Sequence, residues 1–359
     1  MSQEEELLVS RERRLGRIRL NRPKALNSLT LNMVRRFTQA LVDFAADPDI
    51  VAVLVTGEGE RGLCAGGDIR ALYESRSGAA DDYKTFWREE YALNARIAAF
   101  PKPYVVLMDG VVMGGGVGVS AHGNHRVATE RMQLAMPETR IGFIPDVGGT
   151  WLLSRGNGVG FYMALSGATI GAADAIHAGL ADATIDSRGI PELVERLSFV
   201  TSVDSVDATL GDFVAAPLPG ELQQHENELD RAMAADDVEQ IIGALRASGS
   251  TFGREAADEI TRNSPTSLKV THALLKRAMT ADSLETCLIN EYRAACSLLE
   301  GHDLYEGIRA ALIDKDKTPK WRPALLEDVA ETSVARILEG RGDPEPDFGA
   351  LLPKPMALP

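Results

Sequence analysis

Apolar positions along the first two hundred residues come in short, dense runs. Residues 51–56 (VAVLVT) and 105–108 (VVLM) are rich in β-branched side chains and nearly free of polar ones. Such runs are expected of strands buried on both faces. Residues 7–21 alternate roughly between apolar and basic, the pattern of strands with one exposed face. Between these runs the period changes. Residues 27–44 place Leu31, Val34, Phe37, Leu41 and Phe44 at helical spacing. A helical stretch over 81–100 stops before Pro101 and Pro103, as prolines dictate. Short strands at 126–129, 134–135 and 183–185 alternate with helices at 148–165 and 172–179. Strand and helix alternating at these lengths predict βαβ-type crossovers and a largely parallel sheet clad in helices, an α/β fold.

From about Pro191 the strand signals vanish. Residues 201–220 are small, acidic and proline-containing, and read as a connector. Helices are expected over 223–246, 251–263, 264–281, 284–300 and 303–312, with Ser264 as an N-cap and Pro265 in the first turn. The predicted organisation is a core over 1–200, a connector over 201–222, a helical region over 223–339 and a loose Pro/Gly-rich tail over 340–359.

Two glycine segments punctuate the core in the same manner. Residues 62–69 (GLCAGGDI) follow the strand at 51–56. The triplet Gly114-Gly115-Gly116 directly follows the strand at 105–108 and opens a small, apolar stretch that reads as a buried helix over 117–123. Glycines allow close backbone approach to a ligand, and a helix start leaves amide N–H groups free. Either segment alone is as well explained by a tight turn. Together they can supply one donor each, from Gly67 and Gly115, to a single oxygen, which is an oxyanion hole. Neither segment is a P-loop or a dinucleotide fingerprint, since GK[ST] and GxGxxG are absent.

Downstream stand Glu138 in MPET and Asp146 in PDVGG, with no Lys or Arg between Gly142 and Leu153. Acids in apolar surroundings beside anion-binding amides make a catalytic site. Each also has a plainer reading: Glu138 as a charge at a helix start, Asp146 as the cap of a helix beginning at Gly148. His122 and His125 form an HxxH without carboxylate or cysteine ligands nearby, which argues against a metal centre. Ser120 lacks a G-x-S-x-G elbow.

Composition narrows the classes. A formal net charge of −14 disfavours nonspecific nucleic-acid binding and anionic membranes. Yet Arg11, Arg13, Arg14, Arg17, Arg19, Arg22 and Lys24 crowd one stretch. They read as a solvated strand face, or as a receiver for a polyanion such as a nucleotide phosphate. Cys64, Cys287 and Cys296 are far apart and odd in number, a reduced pattern of core residues. No apolar run approaches the ~20 residues of a membrane span. The acidic opening MSQEEELL resembles neither a secretory signal nor a transit peptide, so a cytoplasmic protein is expected.

NRPKALNSL, CAGGDI, MDGVVMGGGVGVSAHGNHRVAT and MPETRIGFIPDVGGT together resemble the crotonase (enoyl-CoA hydratase/isomerase) superfamily over roughly residues 7–185. FWREEYALN, SPTSLKVT, EYRAAC and GHDLYEGIRAALIDKDKTPKWRPA extend the likeness to nearly the whole chain, toward the 3-hydroxyisobutyryl-CoA hydrolase branch. The resemblance implies a spiral of ββα turns with a C-terminal helical region that covers the site and mediates assembly. It implies oxyanion donors at Gly67 and Gly115, and coenzyme A contacts from Lys24, Ala25, Ala65, Asp68 and Ile69. It implies a catalytic glutamate at Glu138, an aspartate at Asp146, and Glu90 lining the acyl pocket. The first of the two hydratase glutamates falls at Gly118 here, so one acid/base partner of water addition is missing. Hydrolysis of a short 3-hydroxyacyl-CoA thioester to acid and CoA is the implied activity, with a one-acid enoyl-CoA hydratase or isomerase as the alternative. No cofactor beyond the substrate's own CoA is implied, and no metal. A homo-oligomer, trimer or hexamer, is also implied, as is a place in valine breakdown.

Overall fold

The computed structural model describes residues 5–77, 80–216 and 219–349. Strands β1 (Leu7–Glu12) and β2 (Leu15–Leu20) form an antiparallel hairpin, and β2 then pairs in parallel with β3 (Ala52–Gly57). A short β4 (Gly62–Cys64) follows. The pattern repeats as β5 (Tyr104–Met108) with β6 (Val111–Met113), and as β7 (His125–Thr129) with β8 (Gln133–Ala135). β9 (Ala183–Ile185) and β10 (Val214–Ala215) close the series. The larger sheet runs β1-β2-β3-β5-β7-β9-β10, and a second, three-stranded parallel sheet runs β4-β6-β8. Each turn of the chain therefore lays one strand in each sheet before a helix returns it, which is a ββα spiral.

The predicted glycine triplet does not follow the strand at 105–108 directly. The chain first turns at Asp109 and Gly110, and β6 leads into Gly114 instead. Residues 111–113 carry the same valine-rich signal as β5, so sequence merges two strands that face different sheets. The helix expected over 148–165 is likewise two, Gly149–Leu153 and Asn157–Ser166. The stretch expected to be a connector contains a helix, Val203–Gly211, and the edge strand β10. Its Val206 and Leu210 join Leu193 and Leu197 in a small core over one face of the large sheet, against Leu15, Leu54, Val105 and Val127. Only two apolar residues of that helix meet the sheet, too few to stand out among Ser, Asp and Thr.

The other face carries the main core, which runs without a break from Leu7 to Leu338. The helices Leu31–Ala46 and Ala80–Ala98 and the C-terminal helices share it. The helix expected over 223–246 is two, Glu226–Met233 and Val238–Ala247, with Asp237 capping the second; the next three lie near their expected places, Thr251–Thr261, Pro265–Met279 capped by Ser264, and Leu284–Leu299. Asp303–Ile308 runs on into a π-helical turn, Arg309–Ile313. In the tail, Asp343 pairs with Lys84 and Glu345 with Arg293, so residues 343–345 drape on the core. The tail beyond 349 and the first four residues, on which the readings of the acidic opening and the tail partly rest, lie outside the described residues. Among the described residues no helix is long and apolar enough to cross a membrane.

Candidate active site

The two glycine turns sit back to back because β4 and β6 are neighbours in the small sheet. A Cβ on Gly116 would stand 2.3 Å from the Cys64 carbonyl oxygen, so only glycine lets the turns approach. The first turn is tied down by Ala65 N–H to Leu26 O (3.0 Å), Leu29 N–H to Gly66 O (2.8 Å) and Asp68 N–H to Leu29 O (3.2 Å). Among the described residues the Gly67 amide donates to nothing. Gly115 opens the short helix Gly115–Gly118, where an amide has no acceptor one turn back. A Cβ on Gly115 would lie 3.4 Å from the Gly67 nitrogen, and one on Gly66 would lie 3.4 Å from the Gly115 nitrogen. The two free amides are thus adjacent, at the wall of a cavity of about 360 Å³.

Three carboxylic acids face the same cavity. Glu138 opens the 3₁₀ turn Glu138–Ile141. Its Oε1 would lie 2.8 Å from a Cβ on Gly114, and its Oε2 is buried without a partner. Glu90, on the helix Ala80–Ala98, points Oε1 at Gly115, 2.6 Å from where a Cβ would stand, and that oxygen is also unpartnered. Asp146 accepts a hydrogen bond from the Tyr91 hydroxyl at 2.7 Å. Trp87, stacked on Phe143 at 5.1 Å, lines the cavity with Phe86, Leu72 and Met113, and Tyr83 and Arg140 also reach its wall. Leu304 and Ala311 bring the C-terminal region to the same wall.

Burial in this setting penalises negative charge, and the acids penalise one another. Glu90 is held well above the usual carboxylate range by burial, then by Asp146 and Glu138. Glu138 is raised by burial and by Asp146. Burial pushes Asp146 up to about 7, against the pull of the Tyr91 hydroxyl. Such a cluster retains protons near neutrality and can both accept and donate them. Two free amides beside it can hold a developing oxyanion.

Asp146 does not cap the helix at Gly149 with its side chain. Glu291, from the helix Leu284–Leu299, does so by accepting from Gly148 N–H (2.7 Å) and Thr150 N–H (2.9 Å). Sequence reasoning passed over Glu291, and it also missed that Tyr91 serves Asp146. A signal existed for the first. Glu291 falls in the stripe Leu284, Cys287, Leu288, Glu291, Ala295, where an apolar residue is expected. Of the residues implied for coenzyme A, Ala65 and Ile69 line the cavity. Lys24 and Ala25 lie exposed in the adjoining turn Pro23–Ala25, and Asp68 caps the helix Ile69–Glu74 and pairs with Arg22.

The basic stretch is largely an ion-paired surface. Arg11 meets Asp47 and Asp49, Arg17 meets Glu12, Arg19 meets Glu58, and Arg13 stacks on Phe199. His122 turns its ring to the Val147 carbonyl, while His125 turns to Asn124 and Asp207. The three cysteines are free and buried. At Gly118 a Cβ would lie 2.7 Å from both Asn94 Nδ2 and Val147 Cβ, so this position has no room for a glutamate as packed.

The sequence model of the family described as Enoyl-CoA hydratase/isomerase matches residues 15–338. A rat protein named 3-hydroxyisobutyryl-CoA hydrolase, mitochondrial, is 42% identical over 96% of this chain and 91% of its own length. The human protein of that name is 39% identical over the same shares. Among solved structures, a carnitinyl-CoA dehydratase from Mycobacterium thermoresistibile superposes with a TM-score of 0.92 at 46% identity, over 97% of this chain and 100% of its own. An enoyl-CoA hydratase from Rhodobacter sphaeroides gives a TM-score of 0.87 at 39% identity, over 94% and 98%.

Proposed function

Because the chain belongs to the enoyl-CoA hydratase/isomerase family, we propose that it hydrolyses the thioester of a short 3-hydroxyacyl-CoA, 3-hydroxyisobutyryl-CoA first among them. The observation that carries this reading is the pairing of the free Gly67 and Gly115 amides with the unpartnered Glu138 carboxyl in one cavity. In this reading the thioester oxygen lies between the two amides. Attack at the carbonyl carbon places negative charge on that oxygen, where the amides stabilise it. Collapse of the adduct expels the CoA thiolate, which takes up a proton. Glu138 supplies the attacking oxygen, through a mixed anhydride, or the base that activates water. In the anhydride route water then opens the anhydride, and single turnover in ¹⁸O-water labels the Glu138 carboxyl when water enters at the glutamyl carbonyl, an outcome the general-base route does not give.

Glu90 and Asp146 hold the substrate hydroxyl and the attacking water. Buried groups built to bond a hydroxyl reject acyl chains lacking it far more strongly than a missing methylene would be rejected. Ala65 and Ile69, with Lys24, Ala25 and Asp68 at the adjoining turns, receive the CoA moiety. An assembly of several copies and a role in valine breakdown belong to the same reading. Light scattering that returned a single-chain mass would remove the assembly.

The names of the two structural neighbours favour a second reading, reversible water addition to an enoyl-CoA. The closed position at Gly118 speaks against it. Two assays decide. Supplied with 3-hydroxyisobutyryl-CoA, the protein should release free thiol. Supplied with crotonyl-CoA, it should leave the conjugated absorbance unchanged. Loss of that absorbance without thiol release would replace the first reading by the second.

A further inference from the structure

The loop that carries Asp146 is not self-supporting. Val147 sits at φ 53° and Gly148 at φ 78°, and a β-branched residue in the left-handed region is strained. The Asp146 carbonyl is engaged by Gly149 N–H at 2.6 Å, and the Val147 carbonyl by the His122 ring at 2.7 Å. Three further donors, Gly148 N–H, Thr150 N–H and the Thr150 hydroxyl, converge on Glu291, which is completely buried. The next residue, Tyr292, sets its ring edge-on to Tyr91 at 6.2 Å and 85°. Tyr91 is the residue whose hydroxyl holds the Asp146 carboxyl. Consecutive residues of one C-terminal helix therefore grip both the backbone and the side-chain partner of Asp146.

We propose that Glu291 is a positioning residue: it holds residues 146–150 in their strained conformation so that Asp146 faces the cavity. The inference rests on the role given to Asp146 above. It makes the C-terminal helical region part of the chemistry rather than only a cover. A buried carboxylate with three donors is a rigid pin, whereas an apolar residue of equal size would leave the two amides without acceptors.

The test compares Glu291→Ala and Glu291→Gln with Leu245→Ala, a buried change on the helix Val238–Ala247, away from the loop. Hydrogen exchange is read at Gly148 and Thr150, and kcat and KM are read for thiol release from 3-hydroxyisobutyryl-CoA. Glu291→Ala should speed exchange at both amides and lower kcat by roughly ten- to a hundredfold, the cost of misplacing a catalytic group by about 1 Å. KM should stay within about threefold. Glu291→Gln should fall between, because its amide keeps one acceptor oxygen and turns an NH₂ toward the other donors. Leu245→Ala should lower the melting temperature and leave kcat and both amides unchanged. Unchanged exchange at Gly148 and Thr150 in Glu291→Ala overturns the pin. Faster exchange with unchanged kcat overturns its link to Asp146. Should Glu291→Ala not fold, Glu291→Gln with Thr150→Val, which removes only the hydroxyl donor, gives the same readings in smaller size. A wild-type protein that released no thiol would count against the proposed function, while exchange would still read the pin.

Discussion

Glu138 and Glu291 are both buried glutamates on either side of the same loop, and the protein treats them in opposite ways. Glu291 accepts from three donors, two of them backbone amides. Burial raises its pKa to about 8 while every one of those donors pulls it down. Glu138 has an oxygen with no partner, a cavity in front of it and Asp146 nearby. An unmet buried oxygen costs free energy, about 1–3 kcal/mol or more for a charged group, and a fold retains it only where that group meets something else. The contrast separates a carboxylate that holds structure from one left available for reaction. Charge and burial alone do not make that distinction, because both groups share them; the count of donors does.

The largest test of this contrast is Glu138→Gln. It should lower thiol release by two to four orders of magnitude, the range for removing a positioned acid/base group, with thioester binding retained in a direct titration. Full activity would assign Glu138 to structure. Next comes Gly115→Ala. Its Cβ would stand 2.6 Å from Glu90 Oε1, moving the amide or the acid, and a loss of roughly 10²–10³ in kcat is expected for a lost oxyanion donor. Tyr91→Phe removes the hydroxyl that Asp146 accepts. It should cost about tenfold in kcat, in line with one charge-assisted hydrogen bond.

The remaining effects are in pH. In the proposed reaction Glu138 acts as an anion, and burial beside Asp146 raises its pKa well above the usual range. The acid limb of kcat/KM should therefore fall well above the ordinary glutamate range, and Asp146→Asn should move it to lower pH by removing a neighbouring charge. Stability has the opposite sense. A carboxyl whose pKa is raised on folding adds stability below its unfolded pKa, and that stability is lost as pH rises through the folded value. Glu138→Gln should accordingly raise the melting temperature by roughly 2 °C at pH 8 and change it little at pH 4. Equal shifts at both pH values would show that Glu138 is no more strained than any surface acid.

Much of this was legible beforehand. VAVLVT and VVLM mark the buried parallel strands, and the helical spacing from residue 251 to 300 marks three C-terminal helices close to their observed bounds, whereas the break between Glu226–Met233 and Val238–Ala247 is not marked. The two glycine segments point to Gly67 and Gly115 from the sequence, since glycine clusters after strands are a local signal. The pairing of β4, β6 and β8 into their own sheet was not legible, because strands of three residues carry no period. The helix Val203–Gly211 was hidden for a similar reason, with two apolar contacts in a polar stretch.

What the sequence alone determined is the order of elements and the chemistry on offer, both of which are set within a few residues of one another. Only the tertiary structure decided which acid is satisfied. Glu291 lies 141 and 143 residues from its backbone donors, and Tyr91 lies 55 from Asp146. Whether a buried oxygen finds a donor is a property of the packed chain, since the partners arrive from elements that share no local pattern.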